Sequence, residues 1–249
     1  MKKIMELKNV SLTYQIPDDE ITAINGLSFS INEGEFVSII GPSGCGKTSI
    51  LSIIAGLIQP TSGKIKFYPK DNKEISIGYM LQKDHLFPWR NIERNIFLPL
   101  EIKKIDNKTN REFALELLKK YKLYDFRKCF PDQLSGGMKQ RAALIRTLST
   151  KPDLLLLDEP FSALDFQTRL EVCNDVYKII KSEKKTTILV THDISEAISM
   201  SDIIIVLSTR PSQVKSVFRP QLKKDSPIER RETTEFSLCF KEIWKELNQ

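Results

Sequence analysis

The sequence predicts an α/β fold with a helical segment inserted into it. Three features point there. The first eighty or so residues are rich in strand-like alternation, the middle from about Lys83 to Thr150 reads as helix, and the last part returns to short continuous apolar runs separated by helical stretches. A continuous apolar run bounded by turn residues suits a strand buried on both faces of a parallel sheet. The expected organisation is one domain, with residues 1–82 and 151–220 as the core, 83–150 as a helical subdomain and 221–249 as a C-terminal tail.

In chain order, Met5–Tyr14 and Ala23–Ile31 alternate loosely, and Glu35–Ile40 is a short β-prone run that ends at a glycine. A helix is expected from Lys47 to Leu57, then strands at Lys64–Phe67 and Ile75–Met80. Thr109 and Glu112 have the spacing of a capping box, and Phe113, Leu117, Leu118 and Tyr121 recur on one helical face behind it. A second helix is expected to begin after Gly137 and run through Leu148. Leu154–Leu157 reads as a buried strand, Phe166–Lys181 as a helix and Thr186–Thr191 as another buried strand. Asp193 is placed to cap a short helix, with Glu196 three residues on. Ile203–Leu207 and Val214–Phe218 are strands parted by a turn at Arg210-Pro211, and Glu235–Leu247 is an amphipathic helix.

Composition removes several classes of function. Hydrophobic residues make up 41% and charged residues 28%, the usage of an ordinary globular chain. The longest aliphatic run, Ile203–Leu207, is five residues, whereas a membrane-spanning helix needs about 18 or more. Glu6 and Lys8 interrupt the N-terminal stretch, so no signal peptide is expected and the chain should stay in the cytosol. The net charge of +6 comes from 38 basic and 32 acidic residues with the signs interleaved, which argues against nucleic acid as the partner. Cys45, Cys129, Cys173 and Cys239 are at least 44 residues apart and have no metal-ligand spacing, so they read as reduced thiols. With only His85 and His192 in the chain, no histidine-based metal site is expected.

Gly41-Pro42-Ser43-Gly44-Cys45-Gly46-Lys47-Thr48 fits the GxxxxGK[ST] pattern between a predicted strand and a predicted helix. Glycines let successive backbone N–H groups curl around phosphate oxygens, Lys47 supplies a charge to the β- and γ-phosphates, and the Thr48 hydroxyl ligates Mg²⁺. The helix that follows directs its positive end at the same anion. The Leu154–Leu157 run leads into Asp158-Glu159, and in open α/β sheets ligands lie at the carboxyl ends of strands. Asp158 is therefore expected to hold Mg²⁺ through water, and Glu159 to orient or deprotonate an attacking water. A third stretch, Leu134-Ser135-Gly136-Gly137-Met138-Lys139-Gln140-Arg141, sets a serine and two glycines at a helix start, a second anion-binding arrangement.

LSGGMKQR resembles the signature of ATP-binding cassette (ABC) proteins, and the phosphate loop, signature and LLLLDEP strand stand in that family's order. The resemblance implies a P-loop NTPase core with an antiparallel β subdomain and an inserted helical subdomain. It implies that ATP and Mg²⁺ are bound, with Gly41 through Ser49 as the phosphate site, Tyr14 stacked on adenine and Gln82 touching Mg²⁺ and the attacking water. Ser162-Ala163-Leu164-Asp165 matches the D-loop, which passes between two subunits, and His192 the switch histidine on the γ-phosphate. His85 has no such match and is expected at the surface. The family works as a head-to-tail dimer, so Leu134, Ser135, Gly136, Gly137 and Met138 would serve the partner's ATP.

Finer features resemble the nitrate, sulfonate and taurine importers: His85-Leu86-Phe87-Pro88-Trp89-Arg90 after the Q-loop, Met138, and the run from Pro160 to Arg169. This implies an ATPase subunit at the cytoplasmic face of the membrane. It would be coupled through Pro88, Trp89 and Arg90 to a separate permease, and served indirectly by an extracytoplasmic substrate-binding protein. Relatives with this pattern also carry vitamin precursors or bicarbonate. Packing between subdomains is the plainer reading of Trp89. A soluble cassette ATPase acting on nucleic acid or ribosomes and a P-loop kinase are the alternative functions; the first usually has a long coiled coil or two cassettes, and the second has no need of LSGGMKQR.

Overall fold

Two long antiparallel strands, β1 (Lys3–Ile16) and β2 (Asp19–Asn32), open the chain in the computed structural model, which describes residues 2–17, 19–69 and 73–248. The strand β4 (Ser62–Phe67) pairs antiparallel with β1, from Met5↔Phe67 to Ser11↔Ser62, giving the order β2-β1-β4. Met5, Leu7, Val10 and Leu12 of β1 are buried, although the loose alternation is broken by register shifts between Leu7 and Thr13.

The chain divides into two units, one of Met1–Ile75 with Lys184–Gln249 and one of Ser76–Glu183. The first unit contains the antiparallel sheet and a parallel ladder in which β3 (Phe36–Ile40) lies between β7 (Thr186–Val190) and β8 (Ile203–Leu207). Every residue of these three strands is buried, the polar Ser38, Thr186 and Thr187 included, and β8 is an unbroken apolar run. The strand β9 (Val214–Phe218) pairs antiparallel with β8 and alternates half-buried with exposed residues.

The helix α1 (Lys47–Ile54) stops three residues short of the expected Leu57. Gly56 adopts φ 74°, its N–H donates to the Ile53 carbonyl (3.1 Å), and the Leu57 N–H donates to that of Ser52 (2.9 Å). That is a Schellman ending, which needs a left-handed residue where glycine stands. The tail folds onto this unit. After the short helix α7 (Pro227–Arg231), α8 (Thr234–Asn248) buries Phe236 and Ile243 against Ile198 of α6 (Ile194–Met200) and Ile204 and Val206 of β8.

The second unit contains the parallel pair β5 (Ile77–Met80) and β6 (Leu154–Asp158), with Tyr79 opposite Leu156, and the helices α2 (Ile92–Ile102), α3 (Lys108–Lys120), α4 (Gly136–Leu148) and α5 (Phe166–Ser182). The sequence pattern did not single out α2, which carries Pro99 within it. Its buried stripe of Ile92, Ile96, Phe97 and Leu100 is helical nonetheless. The expected capping box at Thr109 does not form. The helix begins one residue before Thr109, and Asn107, with extended φ and ψ, accepts from the Asn110 N–H (3.0 Å); asparagine is the better N-cap. Leu117 and Leu118 are buried as expected, joined by Ala114, while Phe113 and Tyr121 are only half-buried. The helix α4 starts at Gly136, one residue before Gly137, because Ser135 caps it.

Candidate functional site

The loop between β3 and α1 is shaped by its own backbone. Gly44 and Gly46 both take left-handed conformations, φ 74° and 106°, which side chains resist. A Cβ on Gly41 would sit 3.0 Å from both the Leu207 Cβ and the Cys45 Sγ. Lys47 is buried, 6% exposed, and its Nζ donates to the carbonyls of Gly41 (2.8 Å) and Pro42 (2.9 Å). The side chain thus folds back along the loop and its charge braces the curl from within. Gly46 provides no side-chain cap, so the first N–H groups of α1 are left for an anion. Ser43, Gly44 and Thr48 are exposed around them. This cradle fits a phosphate chain.

Burial pushes the Cys45 thiol above its ordinary pKa, against the pull of Lys47, so Cys45 is a packing residue of the loop. The Tyr14 hydroxyl lies 2.9 Å from the Ser49 Oγ, which ties the end of β1 to the first turn of α1 and leaves the ring 37% exposed. His192 is exposed, in the turn between β7 and α6. Asp193 caps α6 as expected, accepting from the N–H groups of Ser195 (2.7 Å) and Glu196 (3.1 Å). The Glu196 carboxylate is instead taken by the Thr191 hydroxyl, 2.6 Å away and buried.

In the second unit β6 carries a buried carboxylate to its last residue. Asp158 is 4% exposed and accepts from the Tyr79 hydroxyl of the neighbouring strand (3.2 Å). Glu159 follows at φ 43°, a left-handed turn that ends the strand. Its carbonyl accepts from the Ser162 hydroxyl (3.0 Å), and the Gln82 Nε2 reaches the Glu159 Oε2 at 3.5 Å and the Ser162 Oγ at 3.4 Å. Gln82 is therefore brought to Glu159 and Ser162, which follow it by 77 and 80 residues. Within this unit Asp158 offers a hard oxygen donor of the kind that Mg²⁺ prefers. Among the described residues no cluster of three or more His, Cys, Asp or Glu could hold a metal by itself.

The signature and D-loop share one pocket of about 420 Å³, lined by Ser135, Gly136, Gly137, Ala163, Leu164 and Asp165 among others. Ser135 caps α4, accepting from the Met138 N–H (3.3 Å). A Cβ on Gly136 would come 3.0 Å from Leu164, and one on Gly137 2.8 Å from Val172, so both glycines allow a close approach. Asp165 caps α5, accepting from the Thr168 N–H (3.0 Å), and that hydrogen bonding holds its carboxyl below the ordinary range.

The Pro88-Trp89-Arg90 loop stands over a groove of about 660 Å³. Trp89 is 71% exposed, with its ring stacked on Phe87 at 4.9 Å, and Arg90 pairs with Glu101 (2.9 Å). A residue that the sequence reading missed organises this loop. Asn95, fully buried, donates to the carbonyls of Phe87 (3.1 Å), Arg90 (2.8 Å) and Asn91 (3.1 Å), and accepts from the Phe87 N–H (2.7 Å). Its one trace in the sequence is a polar residue beside Ile92 and Ile96 in an otherwise apolar stripe. Tyr79 left no comparable trace, since an aromatic in a strand is ordinary packing.

Among the described residues no helix is long and apolar enough to cross a membrane. The ABC transporter family profile matches residues 24–162, more than half of the chain. The chain is 47% identical, over 98% of its length and 95% of that protein, to the uncharacterized ABC transporter ATP-binding protein YtlC of Bacillus subtilis. It is 36% identical, over 98% of its length and 94% of that protein, to the aliphatic sulfonates import ATP-binding protein SsuB of Bacillus cereus. The dimeric structure of a post-hydrolysis state of the ATP-binding cassette MJ0796, bound to ADP and Pi, superposes with a TM-score of 0.72 at 33% identity, covering 87% of this chain and 98% of that one. The expected architecture, a P-loop NTPase core with an antiparallel β subdomain and an inserted helical subdomain, is the fold of these cassettes. On the family profile and these relatives, the chain belongs to the ABC transporter family as an ATP-binding subunit.

Proposed function

We propose that this chain hydrolyses ATP to drive uptake of a small anion of the nitrate, sulfonate or taurine kind through a separate permease. The observation that carries the hydrolytic part is the approach of Gln82 to Glu159 beside Ser162. Glu159 accepts a proton from, or orients, the attacking water, and Gln82 helps to hold that water in line. Lys47 and the N–H groups of the loop bind the phosphate chain, Tyr14 offers its ring to adenine, and His192 contacts the γ-phosphate. Bound Mg²⁺ would neutralise charge on the phosphates, with Thr48, Gln82 and Asp158 as its protein ligands, directly or through water.

Two copies assemble head to tail, as cassettes of this family do, so that Ser135 and Gly137 bind the partner's nucleotide and the D-loop lies at the interface. The importer reading draws support from the likeness to SsuB and from the exposed Trp89 in its groove. An aromatic beside an arginine is a favoured anchor pair at protein interfaces. The chain then sits at the cytoplasmic face of the membrane, with a substrate-binding protein acting indirectly from the other side.

The test is uptake of labelled taurine, an alkanesulfonate and nitrate by proteoliposomes containing the chain, its permease and its binding protein. ATP-dependent uptake of one of them, abolished by Glu159→Gln, is expected. ATP hydrolysis without uptake of any of the three would limit the proposal to the ATPase.

A further inference from the structure

The segment that joins Gln82 to Trp89 turns through a backbone conformation that ordinary residues avoid. His85 has φ 45°, in the left-handed region that non-glycine residues adopt only when their surroundings hold them there. Two successive carbonyls of this turn converge on one side chain. The Arg146 Nη2 donates to the Asp84 carbonyl and its Nη1 to the His85 carbonyl, each at 2.6 Å. The Asp84 carboxylate closes the same turn by accepting from the Leu86 N–H (2.9 Å). From Phe87 to Asn91 the backbone is then held by Asn95.

Arg146 lies in the last turn of α4, the helix whose first turn is the signature. Burial lowers the pKa of its guanidinium and the Asp84 carboxylate opposes that, but an arginine in a protein stays charged. Its planar fork matches two neighbouring carbonyls, as a lysine's point charge cannot. His85 is exposed and Asp84 half-buried, so water could take the place of Arg146 on their carbonyls. Removing the fork therefore leaves little that is buried and unsatisfied. What it releases is the position of the turn.

We infer that Arg146 is a positioning residue: through the carbonyls of Asp84 and His85 it sets the Gln82 side chain against Glu159, and with Asn95 it makes residues 84–91 one rigid connection between Gln82 and Trp89. The inference rests on the hydrolytic reading of Gln82 and Glu159 proposed above. It adds a link, within a single unit, from the signature helix to the Q-loop glutamine.

The experiment is a double-mutant cycle in the full chain, measuring kcat for ATP, nucleotide affinity and the thermal midpoint of Arg146→Met, Arg146→Lys, Gln82→Ala and the pairwise combinations. Arg146→Met is expected to lower kcat about tenfold to a hundredfold, the scale of a misplaced catalytic group, at unchanged nucleotide affinity. Arg146→Lys should fall between it and the wild type. In the Gln82→Ala background either change should have no further effect on kcat, because the two act as one unit. Should Arg146→Met fail to fold, the cycle with Arg146→Lys decides alone. Wild-type kcat in Arg146→Lys and Arg146→Met, or effects that add to that of Gln82→Ala, would overturn the positioning role and leave the hydrolytic reading intact. Wild-type kcat in Gln82→Ala would remove the role of Gln82, and this inference with it.

Discussion

The Tyr79 hydroxyl donates to the buried carboxylate of Asp158 across 3.2 Å, from one parallel strand to the next. A phenol in that place fixes the rotamer of the carboxylate proposed to serve Mg²⁺, as groups behind metal ligands commonly do. Tyr79→Phe keeps the ring and removes only the donor. The Mg²⁺ concentration for half-maximal ATPase should rise about tenfold, with folding cooperativity retained. Titrating Mg²⁺ at saturating ATP measures it, and an unchanged midpoint would deny Tyr79 that part.

Glu159→Gln should retain nucleotide binding while turnover falls by about 10²–10⁴, the usual contribution of a positioned general base. Lys47→Ala should weaken binding and hydrolysis together, since it also strips the brace from the carbonyls of Gly41 and Pro42. Equilibrium nucleotide binding beside phosphate release separates the two. Wild-type turnover in Glu159→Gln would remove its assigned role.

Ser135 has two roles in this reading, the N-cap of α4 and a contact to the partner's nucleotide. Ser135→Ala should cost about 1 kcal/mol of stability, the ordinary value of a lost cap. Ser135→Tyr should also block the dimer that Mg-ATP induces in the Glu159→Gln background, leaving nucleotide binding to the phosphate loop in place. Sedimentation with and without Mg-ATP is the measurement, and a dimer indifferent to nucleotide and to this change would contradict the head-to-tail assembly.

Trp89 is exposed and stacked on Phe87, in a loop whose backbone Asn95 holds at Phe87 and Arg90, so its removal should cost the isolated subunit little stability or ATPase activity. In the reconstituted transporter, Trp89→Ala or Arg90→Glu should abolish substrate-stimulated hydrolysis and uptake. Unchanged uptake in both would place the docking surface elsewhere. Loss of ATPase in the free subunit would favour a packing role for Trp89.

The Cys239 thiol on α8 has its pKa pushed up to about 11, by burial first and by the Glu242 carboxylate second. A raised pKa means that the folded state favours the neutral thiol. That stability is present below the ordinary value of 9.0 and is lost as pH rises toward about 11. Urea midpoints between pH 8 and 11 should fall less steeply in Cys239→Ala than in the wild type.

What the sequence determined by itself about this protein was local. The phosphate loop motif, the short β-prone runs of the parallel strands in the first unit, the cap at Asp193 and the amphipathic α8 each follow from residues close to one another in the chain, where period, cap and turn chemistry act directly. The error at Thr109 was a competition between two neighbouring caps, and α2 was not singled out although its buried stripe has helical spacing. Tertiary structure alone decided the rest. Tyr79 meets Asp158 because β5 and β6 pair in one register, and Asn95 and Arg146 reach the 84–91 turn because α2 and α4 pack beside it. Hydrogen bonds of this kind depend on which residues the fold sets 3 Å apart. A polar side chain drawn into a core is legible only once the groups that satisfy it are in place.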